Sequence, residues 1–243
     1  MLDRFSGHAD RYARYRIDYP DALYNYVLSF VNGRQSAWDC ATGNGQVAST
    51  LARYFDQVEA TDISQTQLEQ AVVLPNVRYQ ISRAEKTPFA DNQFDLVTVG
   101  QALHWFDAEA FHREVRRVLK PGGVVAEWGY GLNTVSPEVD ALVNDFYINV
   151  IGAYWDSMRR HIENQYAQLP FDFANPQRAD FTVERHWTAG WFLNYLRTWS
   201  AVRNFIATNG LDPVDALAEP LTVAWGLGER LVQFPVFLRL GHR

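Results

Sequence analysis

The sequence predicts an α/β protein built on a mostly parallel sheet. Three observations point there. Short apolar runs of strand length alternate with longer stretches of helical periodicity. A glycine turn, Gly43-Asn44-Gly45, directly follows the first of those runs. Acids mark the ends of the first two runs, Asp39 and Asp62, and Asp62 lies 17 residues after Gly45. A chain of 243 residues can bury one sizeable core, so a single domain over residues 1–243 is expected.

The elements follow in order. Residues 1–33 read as helical pieces broken at Tyr19-Pro20. Leu23, Tyr26, Val27 and Phe30 there fall on one apolar face. Ser36–Cys40 is the first strand, and a helix follows from Gly45 to Tyr54. Val58–Thr61 is the second strand. Ser64 is an N-cap residue type and opens a helix to Val72. Val77–Ile81 and Leu96–Val99 are the third and fourth strands. Ala108–Leu119 is helical and stops at Lys120-Pro121-Gly122-Gly123, after which Val124–Trp128 is the fifth strand. Residues 130–210 carry long helical patterns, Val139–Ile151 and Trp191–Ile206, around a strand at Phe181–Thr188. Leu231–Leu240 is a last strand. Pro235 inside it argues for an irregular position, because proline lacks a donor for the ladder.

Glycines let a backbone turn tightly and approach a ligand with no Cβ in the way. An acid at the end of the second strand can accept hydrogen bonds from ribose hydroxyls. Together they describe a nucleoside-containing cofactor across the ends of two parallel strands. Gly43-x-Gly45-x-x-Ala48 also fits the dinucleotide fingerprint, so the glycines alone do not separate NAD from S-adenosyl-L-methionine. Asp39 favours the latter. A carboxylate there repels a pyrophosphate at the helix N-terminus but attracts the ammonium of a methionine moiety.

The chain resembles the class I S-adenosylmethionine-dependent methyltransferases, in the branch that holds methyltransferase type 11 and trans-aconitate-methyltransferase-like proteins. The matching residues are Asp39-x-x-x-Gly43-x-Gly45, Ala60-Thr61-Asp62-x-Ser64, Ala84-Glu85, Phe94-Asp95-Leu96-Val97, Gln101-Ala102-x-His104-Trp105-Phe106 and Leu119-Lys120-Pro121-Gly122-Gly123. The opening Phe5-Ser6-x-x-Ala9-x-x-Tyr12-x-x-x-Arg16-x-x-Tyr19-Pro20 matches as well. Two positions depart from the pattern: Ala41 stands where many relatives have glycine, and Ile17 where proline is common.

The resemblance implies a Rossmann-like seven-stranded sheet, mostly parallel, with one antiparallel C-terminal strand lying inside it. Helices cover both faces and a helical cap lies above. Residues 1–33 would be lid helices, 34–129 the cofactor core, 130–210 the cap and substrate region, and 211–243 the strand completing the sheet. It implies S-adenosyl-L-methionine as cofactor, held by Asp39, Ala41, Gly43, Gly45, Asp62, Ile63, Ala84, Glu85, Gln101 and Tyr12. The acceptor would be a small molecule, expected to be an organic acid, with Arg16, Tyr19, Trp105, Tyr130, Tyr195, Arg197 and Trp199 around it. Arginine suits carboxylates because its planar fork engages both oxygens. Of Arg16, Arg159, Arg160, Arg197 and Arg203, the pair Arg16 and Arg197 is preferred because each sits among aromatic residues. A carboxylate acceptor is already ionised at neutral pH and needs no base. An alcohol or amine would need one, and His104 is the candidate.

Bulk properties narrow the classes. The net charge of −6 argues against nonspecific binding to nucleic acid. The Asn175-Pro176-Gln177 triplet lacks the aromatic that amino-methylating enzymes of nucleic acids place there. No apolar run long enough for a membrane span is present, and the first residues carry no signal-peptide core. A single cysteine, Cys40, excludes a disulfide framework, and the acids show no metal-ligand spacing, so no metal is expected. A cytoplasmic enzyme is the expectation. The alternatives are an NAD-dependent oxidoreductase on the same glycines, or a noncatalytic S-adenosylmethionine-binding protein.

Overall fold

The computed structural model describes residue 15 and residues 17–243. Seven strands form one sheet in the order β3-β2-β1-β4-β5-β7-β6. The strands are β1 (Ser36–Cys40), β2 (Gln57–Asp62), β3 (Val77–Ile81), β4 (Phe94–Gly100), β5 (Leu119–Tyr130), β6 (Ala174–Thr188) and β7 (Glu229–His242). Strands β1 to β5 pair in parallel, and β7 runs antiparallel to both β5 and β6. One strand is therefore reversed and lies inside the sheet, as the sequence led us to expect. The chain steps outward from β1 to β3, then returns to β4 on the other side of β1. The crevice between β1 and β4 is thus the topological switch point, where open α/β sheets place their ligands.

The central strands are apolar because both faces are covered. All of β4 except Gly100 is buried. One face carries α1 (Asp21–Ser29) and α2 (Gln46–Leu51), and the other carries α4 (Ala108–Val118), after the short α3 (Gln65–Leu68). On α1, Leu23 and Val27 are buried and Tyr26 and Phe30 pack beside them, so this helix belongs to the main core. The remaining helices are α5 (Pro137–Asp145), α6 (Arg160–Glu163), α7 (Ala189–Leu196), α8 (Ser200–Asn209) and α9 (Pro213–Trp225). No helix among the described residues is long and apolar enough to cross a membrane.

Several boundaries differ from the sequence reading. Leu119–Gly123 already pairs as strand, through a register irregularity between Phe94 and Leu96. Gly123 is required there: a Cβ would stand 2.9 Å from the Lys120 carbonyl oxygen and 3.1 Å from that of Phe94. The expected 139–151 helix ends at Asp145 and widens into a π turn over Phe146–Val150. The expected 191–206 helix breaks at Arg197–Trp199. There the Thr198 hydroxyl takes up the Tyr195 carbonyl and Arg197 is drawn to Asp212 and Asp215. Helix α9 was not expected. Its signals are present, Asp212 as a side-chain N-cap and Pro213 at the first turn, but the interior Pro220 interrupts the pattern.

Pro235 pairs opposite Thr182 of β6, and its carbonyl accepts from Gly131 N, one residue past β5. The N and C=O of a strand residue point to the same side, so the missing donor faces the place where β5 has ended. The β6 ladder loses nothing.

A buried polar network ties the right half of the sheet together. Glu127 of β5 is 0% exposed. Its carboxylate is 2.6 Å from His112 Nε2 of α4 and accepts from Arg239 Nε of β7 at 2.7 Å. Arg239 also donates to the carbonyls of Tyr166, Leu169 and Pro170. Removing one partner of such a pair strands the other charge in the interior. Arg239→Met is expected to destabilise the fold by about 3–5 kcal/mol in urea denaturation. A loss well under 1 kcal/mol would show that solvent reaches Glu127.

Candidate active site

The carboxyl ends of β1, β4 and β5 converge on a cavity of about 60 Å³. Asp39, Ala41, Gly43, Gln101, Tyr19 and Tyr130 all line it. These are residues that the sequence marked for cofactor or substrate. Register explains the meeting. Asp39 pairs with Ala60 on one side and Thr98 on the other, and Gly100 pairs with Trp128.

Asp39 is 1% exposed. Its carboxylate accepts from the hydroxyls of Thr42 and Thr98. Burial pushes its pKa up to about 7, and these hydrogen bonds oppose the rise only in part. Thr42 and Thr98 were not singled out from the sequence. Their signal is the hydroxyl three residues after the acid and its partner on the neighbouring strand.

The turn after β1 needs its glycines for two different reasons. Gly43 has φ +57°, and among the described residues a Cβ there would meet only Gln67 Oε1 at 3.7 Å. The described residues thus leave space above Gly43, as a cofactor cradle requires. Gly45 has φ +82°, and a Cβ would stand 2.6 Å from the Tyr79 hydroxyl. That glycine is therefore also demanded by β3. Asp62 fastens the turn from the next strand: Oδ2 accepts from Gly43 N and Oδ1 from Ser64 N, each at 2.9 Å. Ile63, Ala84 and Glu85 follow the ends of β2 and β3. Ala84 is buried, and the Glu85 carboxylate lies 3.4 Å from Arg83 Nε.

Two non-glycine residues of the cavity lie in the left-handed region, Ala41 at φ 54° and Gln101 at φ 56°. Gln101 is held there by its own amide, which accepts from Tyr130 N at 2.7 Å and donates to Tyr130 O at 3.3 Å. Strain of this kind collects at functional sites. Ala41 shows no such brace.

The remaining expected residues are placed differently. Tyr12 and Arg16 lie outside the described residues. Trp105 and His104 sit in the 3-10 turn after β4, ring against ring at 4.6 Å. His104 is buried, and its pKa is lowered to about 3, first by burial and then by Arg159 and His161. An imidazole held neutral this firmly is a poor general base at neutral pH. Tyr195 and Trp199 do not line the cavity. They are buried among Trp187, Phe234 and Trp155. Arg197 holds no open fork for an acceptor, because Asp212 and Asp215 each accept from it at 2.7 Å. The Asn175-Pro176-Gln177 triplet lies at the opposite end of the sheet, where Ala174 pairs with His242.

Comparison with known proteins now decides the family. A family model described as a methyltransferase domain matches residues 38–126. A Dictyostelium discoideum protein named as a methyltransferase is 30% identical over 250 residues, covering 99% of this chain and 95% of its own. The chain belongs to the class I S-adenosylmethionine-dependent methyltransferases. A solved structure from Anaeromyxobacter dehalogenans, described as a type II methyltransferase, superposes with a TM-score of 0.85 at 38% identity. It covers 93% of this chain and 97% of that one. A ubiquinone/menaquinone biosynthesis C-methyltransferase of Desulfotalea psychrophila is 39% identical over 97 residues, but over only 37% of this chain and 39% of its own. The NAD-dependent alternative falls with these findings.

Two outcomes are expected of this methyltransferase. Ala41→Gly should stabilise the fold by up to about 1 kcal/mol, the left-handed strain relieved less the extra freedom of the unfolded chain. Unchanged or lower stability in chemical denaturation would count against strain at Ala41. Second, a carboxyl with a raised native pKa binds its proton more tightly when folded than when unfolded. Its contribution therefore declines as pH rises from about 4 to about 7 and is level above that. Asp39→Asn should flatten this part of the stability–pH profile. A profile identical to that of the unsubstituted protein would place the titration elsewhere.

Proposed function

We propose that this methyltransferase holds S-adenosyl-L-methionine in the β1/β4 crevice and methylates a small organic acid on a carboxylate. The observation that supports the cofactor is the pairing of a buried Asp39 with an open, left-handed Gly43 whose amide is fixed by Asp62. Asp39 faces the cavity and suits the ammonium of the methionine moiety. Gly43 leaves room for close approach. Asp62 stands at the end of β2, where ribose hydroxyls would meet it. When bound, the cofactor supplies an electrophilic methyl group on a sulfonium. The protein's own task is to align the acceptor and exclude water.

The acid acceptor is supported by the state of His104. Its neutral, buried ring offers little pull on an alcohol or ammonium proton. A carboxylate needs no such help. Tyr19 and Tyr130 would form the wall on the methyl side, and Tyr19 is braced edge-on against Trp128 at 5.5 Å.

Calorimetry with S-adenosylhomocysteine tests the cofactor site. Asp62→Ala should weaken binding by about 1.5–3 kcal/mol, the usual worth of charge-assisted hydrogen bonds. Normal affinity in that variant, or tight binding of NAD, would sink the assignment. Affinity should also rise with pH through about 7 as Asp39 ionises, with proton release on binding below that value. A pH-independent affinity would remove Asp39 from the ammonium site. Labelled-methyl transfer to a panel of acids, amines and phenols, read by product mass, tests the acceptor. Products formed only on amines or phenols would overturn the acid reading.

A further inference from the structure

A second cavity, of about 700 Å³, opens where β5 ends. Gly131, Pro235 and Phe237 line it from the sheet, and Tyr147, Arg159 and Ile162 from the segment that crosses above. It begins one residue from the first cavity: Tyr130, whose backbone is clamped by the Gln101 amide, lines the first, and Gly131 lines the second. Phe237 presses on the same place, since a Cβ on Gly129 would lie 2.7 Å from its ring and 2.9 Å from Gln101 Oε1.

Arg159 is the distinctive group of this cavity. Its guanidinium lies 4.2 Å above the Trp155 ring and 5.6 Å from that of Tyr147. Its Nε donates to the Tyr147 hydroxyl at 2.9 Å, and that hydroxyl donates to Glu163 at 2.6 Å. No carboxylate of the described residues lies within ion-pair distance of Arg159. Arg116, Arg117, Arg197 and Arg239 each have one. The two acids that line the cavity, Glu163 and Asp180, are exposed. Arg159 is half-buried, and its guanidinium is fixed in place by a ring stack and a hydrogen bond. A cation so held has lost part of its hydration, and among the described residues it reaches a carboxylate only through the Tyr147 hydroxyl. Its positive field reaches the wall behind, where it contributes to keeping His104 neutral. The apolar lining, Ile148, Ile162, Phe181 and Phe237, suits a hydrocarbon body beside the anion.

We infer that this second cavity is the acceptor site and that Arg159, steadied by Tyr147 and Trp155, is the residue that selects acceptors carrying a carboxylate. The inference rests on the functional reading above and assigns it a residue that the sequence did not prefer. Arg159 takes the part first expected of Arg197, whose fork is already filled. A planar guanidinium engages both carboxylate oxygens, and Arg159 is held over the Trp155 ring with only its Nε bonded, to the Tyr147 hydroxyl, among the described residues.

The test is a titration of the full chain with a panel of aliphatic and aryl mono- and dicarboxylates and their amides. It is run with and without saturating S-adenosylhomocysteine and followed by heat. Acids should bind and the matching amides should not. Arg159→Met should weaken the acids about ten-fold or more, as loss of a charge-assisted contact does, with S-adenosylhomocysteine affinity unchanged. Arg159→Lys, which keeps the charge but not the fork, should fall between. Arg197→Met should leave acid affinity as it was. Equal acid binding in Arg159→Met, amides that bind as well as acids, or no acid bound at all would overturn the subsite. Failure of S-adenosylhomocysteine to bind the unsubstituted protein would overturn the cofactor reading alone, since the acids are also titrated in its absence.

Discussion

The carboxylate of Glu127, wholly inside the protein, organises the half of the molecule built on β5 and β7. A charge in that place is tolerable only when its oxygens are engaged. His112 takes one and Arg239 the other, so α4, β5 and β7 are fixed to one point. Arg239 then spends its remaining donors on three carbonyls of the 166–170 turn. That turn closes the segment bearing Arg159 and Ile162. The 166–170 turn is thus fixed to the sheet by a polar contact, while the hydrophobic clusters on each face supply the bulk of the burial.

On the other side of the switch point the organisation is different. The turn after β1 is held by the Gly43 amide donating to the Asp62 carboxylate, and the Tyr79 hydroxyl fills the place a Gly45 side chain would take. The edge strand and the second strand therefore shape the cradle before any ligand arrives. Local strain at Ala41 and Gln101 shows where shape has been favoured over backbone comfort. Pre-set geometry of this kind suits a reaction in which alignment and exclusion of water are the protein's main tasks.

The parallel half of the sheet, and the meeting of Asp39, Gly43 and Gln101 at one cavity, were legible because each signal there is local. An acid, a glycine turn and an apolar run lie within a few residues of one another. The strand limits at Ser36–Cys40 and Val77–Ile81 were read to the residue. The cap was less legible because its interactions are remote in sequence. Nothing near Arg197 announces that Asp212 and Asp215 will fill its fork. Nothing near Arg159 announces that Trp155 will lie flat beneath it, since a ring four residues away is as often a core residue. Glu127 reads as an acid in an apolar strand, and its two partners come from 15 residues before and 112 after. Tyr195 and Trp199 show the converse error, where aromatic richness suggested a pocket and packing consumed it.

Pro235 bears on how the chain leaves the sheet. At that residue β7 presents no donor to the chain leaving β5, and an isolated bridge between Thr134 and Gln233 follows before that chain departs from the sheet. From there to the start of β6 the chain loops out and returns without contributing a strand to the sheet. The excursion is moored rather than loose: Val139, Val143 and Ile162 are buried in the two cores, and Arg239 holds the carbonyls of Tyr166, Leu169 and Pro170. A proline that looks like a flaw in the last strand thus stands at the seam where the chain leaves the sheet, on the one side of β7 that has no ladder to lose.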